Sequence, residues 1–174
     1  MVRKASRPRA TLSGVSCGSG VSGCDGSVVS GSPIDTSTVG SHTFSVTTTD
    51  TVGNAATSSV TYTVRYNQCL LFDPTKSHKA GSTIPIKLQL CDAAGVNVSN
   101  ASVPLVATAV YLVSTSAPGP LADSGNANPD YQFRFIDSSY IFNLSLKGFG
   151  QGTYALAFTA GNDPIPHAVQ FQVK

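Results

Sequence analysis

The residue types that could carry out chemistry are few in this chain, and most lack the spacing that catalysis needs. Gly14, Ser16 and Gly18 match the G-x-S-x-G pattern of a hydrolase nucleophile. That chemistry requires a strand before the serine and a helix after it. The surrounding stretch is rich in serine and glycine and has no helical pattern, so we interpret the match as accidental.

The three histidines are the other candidates for acid–base chemistry. His42 lies where a strand pattern begins, His78 lies in a polar segment, and His167 follows a proline. None has a carboxylate or a nucleophile at a spacing typical of a catalytic pair. We therefore interpret them as solvated loop residues and predict that the protein is not an enzyme. A pair of glycosidase carboxylates drawn from distant strands remains an open alternative.

The loop that begins at Asp123 is the best candidate for a metal site. Asp123, Asn126, Asn128 and Asp130 offer oxygen ligands, which are the ligands that Ca²⁺ prefers. The same residue types are common in turns, and Pro129 favours a turn here. We expect a turn and no cofactor, with calcium as the alternative.

Four cysteines fall into two pairs of sequence neighbours, Cys17 with Cys24 and Cys69 with Cys91. Two disulfides between these neighbours are the simplest of the three possible pairings and indicate an oxidising compartment. Reduced pairs and a zinc site are the alternatives, although Cys17 and Cys24 are too far apart for a zinc knuckle. Two apolar runs separated by polar residues 73–82 lie between Cys69 and Cys91, which predicts a hairpin with a disulfide at its open end.

Composition narrows the class of protein. The 174 residues are 41% hydrophobic and 11% charged, with a net charge of +2. The charged fraction is less than half that of an ordinary soluble domain, and so small a net charge argues against nucleic acid as a partner. Much of the positive charge lies in residues 1–12, which we expect to be a disordered tail. No apolar run of the length of a signal peptide core or a transmembrane helix follows that tail.

Hydrophobic periodicity predicts strands and no helix. Phe44, Val46 and Thr48 alternate with polar residues, turn residues follow at 50–54, and a second alternating run reaches Val64, which predicts a β-hairpin. About seven further strands, separated by turn signals, follow from Cys69, as in an immunoglobulin-like sandwich. We predict an all-β fold with two such sandwich modules in tandem at 13–65 and 66–174. The first has about half the usual length, so we expect it to be incomplete.

The second module carries a family resemblance. It contains, in order, the segments CLLFDPTK, KAGSTIPIKLQLCDAAGVNV, APGPLADSGNANPDYQFRF, YIFNLSLKG and GTYALAFTAGNDPIPHAVQFQVK. These segments resemble the PxKF domain of bacterial secreted and cell-surface proteins. The naming motif falls on Pro85, Lys87 and Leu88, where Leu88 replaces the usual phenylalanine. Residues 14–64 resemble bacterial immunoglobulin-like repeats of the HYR kind.

The resemblance implies the C-terminal part of a larger extracellular bacterial protein, and it implies no activity, cofactor or catalytic residue. We predict a structural or adhesion module, secreted or at the cell surface, whose partners are neighbouring domains of the same chain and a surface glycan or protein. The alternative is a carbohydrate-binding accessory module of an extracellular enzyme. That role needs exposed aromatic rings, and the chain has no tryptophan. The candidates are Tyr111, Tyr131, Tyr140 and Phe149.

Overall fold

The computed structural model of the chain describes residues 21–26, 33–125 and 127–174. The chain divides into two compact units, Met1–Arg65 and Tyr66–Lys174. The predicted tail at 1–12, the G-x-S-x-G match and the proposed partner Cys17 all lie outside the described residues. Each unit is described by itself.

Three antiparallel strands form the described part of the first unit, in the order β1-β2-β3. They are β1 (Val21–Gly26), β2 (Gly40–Asp50) and β3 (Ala55–Val64). β2 and β3 are the predicted hairpin, and their register runs without a break from Gly40 opposite Val64 to Thr49 opposite Ala55. This pairing confirms the predicted hairpin. The prediction was correct because two alternating runs with turn residues between them specify the pairing locally.

The hairpin turn is organised by Asp50. Its carboxylate accepts hydrogen bonds from the backbone N–H groups of Val52 and Asn54 and from the Asn54 side-chain amide. These bonds hold the pKa of Asp50 below its usual value, the Asn54 side chain contributing most. Gly53 completes the turn at a φ of 97°, a conformation that other residues rarely adopt.

The two faces of this sheet differ in chemistry. Phe44 lies opposite Val60 on one face, and His42 stacks on Tyr62 with 5.3 Å between the ring centres. The other face carries paired hydroxyls, with Ser45 bonded to Ser59 at 2.8 Å and Thr47 bonded to Thr57 at 2.9 Å. Among the described residues whose exposure is known in this unit, every one is exposed or half-buried. The described strands are therefore a single layer.

The second unit is a sandwich of two sheets. One sheet has the order β4-β6-β10-β9 and the other has the order β5-β12-β11-β7-β8. The strands are β4 (Asn67–Leu70), β5 (Ser77–His78), β6 (Thr83–Cys91), β7 (Leu105–Leu112), β8 (Pro118–Gly119), β9 (Arg134–Ile136), β10 (Ser139–Ser145), β11 (Gly152–Ala160) and β12 (His167–Val173). The only helical element among the described residues is a 3₁₀ turn at Pro129–Tyr131. The fold is all-β and immunoglobulin-like, as predicted.

Alternating residues of both sheets meet in one core. Their alternation with exposed residues is what a half-buried strand requires. The largest fully buried side chains are Tyr140, Phe142, Phe158, Phe171, Ile84, Ile86, Leu88, Leu90, Leu105, Leu144, Leu146 and Leu156. The Phe133 ring packs against the rings of Phe142 and Phe158, with centres 5.0 and 5.2 Å away, which places an aromatic cluster between the two sheets.

The segment between β4 and β6 differs from the predicted polar turn. After β4 the chain crosses from the β4-β6-β10-β9 sheet to the other sheet of this unit. There β5 pairs in parallel with β12, with Ser77 opposite Gln172. The C-terminal Lys174 adds two backbone bonds, donating to His78 and accepting from Ala80. The segment between the two apolar runs is polar and short, and it has no apolar pattern that would direct it to either sheet. Its crossing to the opposite sheet is therefore set by this long-range pairing.

Candidate functional site

The predicted pair Cys69 and Cys91 is a disulfide, with 6.0 Å between the two Cα atoms. β4 and β6 pair antiparallel, with Cys69 opposite Gln89 and Asn67 opposite Cys91. The two cysteines are thus diagonal neighbours on adjacent strands. The bond closes a segment with a sequence separation of 22, which includes the crossing to β5. The Cys17–Cys24 pairing lies outside the described residues.

The motif residues Pro85, Lys87 and Leu88 lie on β6. Leu88 is fully buried in the core, whereas Pro85 is exposed on the outer face. Pro85 lies opposite Asn143 of β10, whose N–H and C=O both bond to other groups. The missing N–H of proline therefore costs the β6–β10 ladder nothing, since this pair exchanges no backbone bonds.

The side chain of Asn128 is the hydrogen-bond partner of both Asn143 backbone groups. The Asn128 amide donates to the Asn143 carbonyl at 3.0 Å and accepts from the Asn143 N–H at 3.2 Å. Its own backbone N–H donates to the Asp123 carboxylate at 3.0 Å. Asn128 is 2% exposed, so its side chain replaces a neighbouring strand at this point of β10.

This geometry bears on the calcium candidates. Asn128 is committed to the backbone of β10, Asp123 accepts the Asn128 N–H, and Asp130 is exposed in the 3₁₀ turn. Asn126 lies outside the described residues. Within the described ranges, no group of three or more histidine, cysteine or acidic side chains is placed to hold a metal ion. The described residues of this loop thus act in turn formation and strand pairing.

The histidines differ from the sequence expectation of solvated loop residues, because all three lie on strands and none is an exposed residue. His42 bonds to the Thr38 carbonyl and stacks on Tyr62, and His78 is a half-buried residue of β5. His167 is not a solvated loop residue: it is 6% exposed, on β12, and stacks on Phe158 in the core. At His167 the expectation was wrong because the flanking prolines were interpreted as a solvated loop.

Asp163 is the partner that sequence reasoning missed. His167 Nε2 lies 2.9 Å from the Asp163 carboxylate, and both side chains are buried. Asp163 also accepts the backbone N–H groups of Tyr66 and Ile165. The His167 Nδ1 atom lies 3.0 Å from the Gln68 side-chain amide. The signal in the sequence that could have identified this pair is the spacing of four residues between Asp163 and His167.

The pair of Asp163 and His167 cannot serve as a catalytic dyad in this arrangement. A general base needs one free ring nitrogen in reach of a substrate proton. Here one nitrogen faces Asp163 and the other faces Gln68, so both are occupied. The cluster fastens the start of the second unit to the loop before β12.

The four aromatic candidates for glycan contact separate by burial. Tyr140 is 1% exposed and Phe149 is 6% exposed, so both are core residues and neither presents a ring to a ligand. Tyr111 is half-buried on β7. Tyr131 is 45% exposed and has a φ of 58°, next to Asp130 at 53°. The period-two pattern that identified these strands does not show which ring faces the core.

Two tyrosine hydroxyls in this unit have raised pKa values. Burial is the main cause for Tyr140, whose hydroxyl also bonds to the Asn100 backbone. Burial is again the main cause for Tyr66, and the nearby Asp163 carboxylate adds to it. Burial thus favours the neutral form of both phenols in the folded chain.

Among the described residues, no helix is long and apolar enough to span a membrane.

Comparison with known proteins gave structural similarities at low identity. No family model matches the chain. No curated protein matches it either. An I-band fragment of titin aligns over 77% of this chain and 41% of its own, at 11% identity and a TM-score of 0.33. The Lin-41 filamin domain aligns over 62% of this chain and 91% of its own length, at 14% identity and a TM-score of 0.34. Domains 4 and 5 of the S-layer protein SbsC align over 86% of this chain and 68% of their own length, at 16% identity and a TM-score of 0.30.

Proposed function

We propose that this chain is a non-catalytic structural and adhesion module of a larger exported bacterial protein. The observation that carries the proposal is the use of the candidate chemical groups in packing. Asp163 and His167 are buried and occupied by hydrogen bonds, and Asn128 completes the edge of β10. The described groups best suited to chemistry therefore hold the sandwich together.

The compartment and the family are parts of the same proposal. The Cys69–Cys91 disulfide supports an oxidising compartment, because such bonds persist mainly in exported proteins. The segments around Pro85, Lys87 and Leu88 support membership of the PxKF domains, and residues 14–64 support an HYR-like repeat before it. Neighbouring domains of a longer chain are the proposed partners.

Turnover assays on the full chain test the absence of catalysis. We expect no turnover of a panel of glycoside, ester and peptide substrates. Turnover that disappears in Asp163→Asn while circular dichroism shows a folded sandwich would overturn the proposal. Asp73→Asn is the matched control, since Asp73 is an exposed turn carboxylate bonded to Thr75.

A carbohydrate-binding role is the second candidate, and the exposed Tyr131 favours it. Tyr131 is 45% exposed, and its backbone lies in the left-handed region, a conformation retained at functional sites more often than elsewhere. Binding on a glycan array that disappears in Tyr131→Ala would support this role. Ile165→Ala is the control, because Ile165 is a 37% exposed apolar residue on another loop. Absence of binding by the folded chain removes this candidate.

A further inference from the structure

The sheet edges of this protein differ in length and in protection. Native proteins protect edges with short strands, charged residues or bulges. In the second unit the edge strands are short, with four residues in β4, three in β9 and two each in β5 and β8. In the first unit β1 carries Asp25 and has a register irregularity between Val21 and Gly23. Each of these edges is poorly suited to pair with another strand.

The β3 strand lacks all of these protections. It is ten residues long, eight of its residues are exposed, and it contains no charged residue and no proline. Its register with β2 has no bulge. Among the described residues it is paired on one side alone, by β2. A long, neutral edge without a bulge is a template for another strand, because its outward N–H and C=O groups have no partner among the described strands.

We propose that β3 is a self-pairing site, through which two copies of this chain join antiparallel about a twofold axis at Val60. This inference goes beyond the proposed structural role, because it names the partner, and it depends on β3 alone. The two three-stranded sheets then become one continuous sheet of six strands. A twofold contact of this kind closes at the dimer.

The choice of a second copy follows from the charge and the side chains of β3. A neutral strand offers nothing to select a charged partner, and it meets its own copy without repulsion in any register. The net charge of +2 on the whole chain adds little repulsion between copies. The hydroxyl pairs Ser45–Ser59 and Thr47–Thr57 already join β2 to β3, and self-pairing of β3 repeats the same chemistry.

The position of the axis follows from strand geometry. Directly opposite residues of an antiparallel pair point to the same face, so a twofold axis must pass at a residue. An axis at Val60 places Val60 against its own copy on the apolar face. On the hydroxyl face it places Ser59 against Thr61 and Thr57 against Thr63. These are β-branched and hydroxyl pairs, which stabilise sheets.

Sedimentation of the full chain over a concentration series tests the proposal. We expect a monomer–dimer equilibrium. Thr61→Lys should raise the dimer Kd roughly fivefold at low salt, because the two introduced lysines become diagonal neighbours on the same face across the axis. High salt should restore most of the affinity, because exposed charges are screened. Recovery in salt distinguishes repulsion across the edge from damage to the fold.

Thr43→Lys is the matched control. Thr43 is also exposed, lies opposite Thr61 and carries the same substitution on the same face. It belongs to the central strand β2, one strand spacing of about 5 Å farther from the partner copy. We expect its dimer Kd to stay within twofold of the unsubstituted chain. A monomer at every concentration, or equal weakening by both variants, would overturn pairing through the edge.

Crosslinking tests the position of the axis. Val60→Cys should give a covalent dimer with a short bismaleimide, because the two introduced thiols face each other across the axis. Val52→Cys is the control, since Val52 is 82% exposed against 62% for Val60 and lies in the β2–β3 turn. Equal crosslinking of the two variants would indicate random collision and would reject the register.

Discussion

The side-chain amide of Asn128 pairs with the backbone of Asn143 in both directions, donating to its carbonyl at 3.0 Å and accepting its N–H at 3.2 Å. Asn128→Ala removes both bonds at a buried position, and we expect the free energy of unfolding to fall by about 2 kcal/mol. Chemical denaturation measures this loss. The control Asn97→Ala removes an exposed amide that bonds to the Ser138 carbonyl, and it should cost less.

Asn128→Asp separates the two bonds. A carboxylate still accepts the Asn143 N–H, but it places negative charge against the Asn143 carbonyl, where the amide donated. We expect Asn128→Asp to be at least as destabilising as Asn128→Ala at neutral pH. Equal stability of Asn128→Asp and the unsubstituted chain would contradict the assigned amide orientation.

The Cys69–Cys91 disulfide should contribute to stability by restricting the unfolded chain. For a sequence separation of 22, the chain-entropy model gives about 3 kcal/mol. The double variant Cys69→Ala/Cys91→Ala should lose that amount in chemical denaturation. Reductant should lower the stability of the unsubstituted chain more than that of the double variant. Equal responses to reductant would show that this disulfide does not contribute to the stability of the fold.

The carboxylate of Asp163 fastens the start of the second unit. Asp163→Ala leaves the N–H groups of Tyr66 and Ile165 and the His167 ring without their acceptor. Because these groups are partly or fully buried, we expect a loss of about 3 kcal/mol in the free energy of unfolding. The exposed Asp73 is the control, since water can replace its bonds to Thr75. Similar losses for both variants would contradict a buried anchoring role.

Alkaline pH should destabilise the fold through Tyr66 and Tyr140. Their folded pKa values lie above the ordinary value of 10.0, mainly because of burial. Below pH 10 both phenols are neutral in the folded and unfolded chain, so their contribution is complete there. Above pH 10 the unfolded phenols ionise first, and stability falls as pH rises towards the folded pKa values. Denaturation between pH 8 and 12 measures this slope.

The variants Tyr66→Phe and Tyr140→Phe test the source of that slope. Each should decrease the loss of stability above pH 10. Tyr140→Phe should also cost about 1 kcal/mol at pH 8, because it removes the hydrogen bond to the Asn100 carbonyl. An unchanged alkaline slope in the double variant would assign the pH dependence to other groups.

Local patterns in the sequence determined several parts of this fold. The alternation around Phe44 and Val60 and the turn at Asp50 specified the β2–β3 hairpin, because strand pairing and turn chemistry there involve near neighbours. The same reasoning predicted about seven strands from Cys69 onwards, where the second unit has nine, β4 to β12. It also identified Cys69 and Cys91 as a pair, since the strands that carry them, β4 and β6, lie close together in the sequence.

Tertiary structure alone decided the roles of the residues that seemed able to do chemistry. Whether Tyr140 faces the core, whether His167 meets Gln68, and where Asn128 binds all depend on contacts between segments far apart in sequence. A period of two shows that a strand has two faces, but it does not show which segment covers each face. The crossing of β5 to β12 has the same cause, because it is stabilised by a pairing 95 residues away, between Ser77 and Gln172.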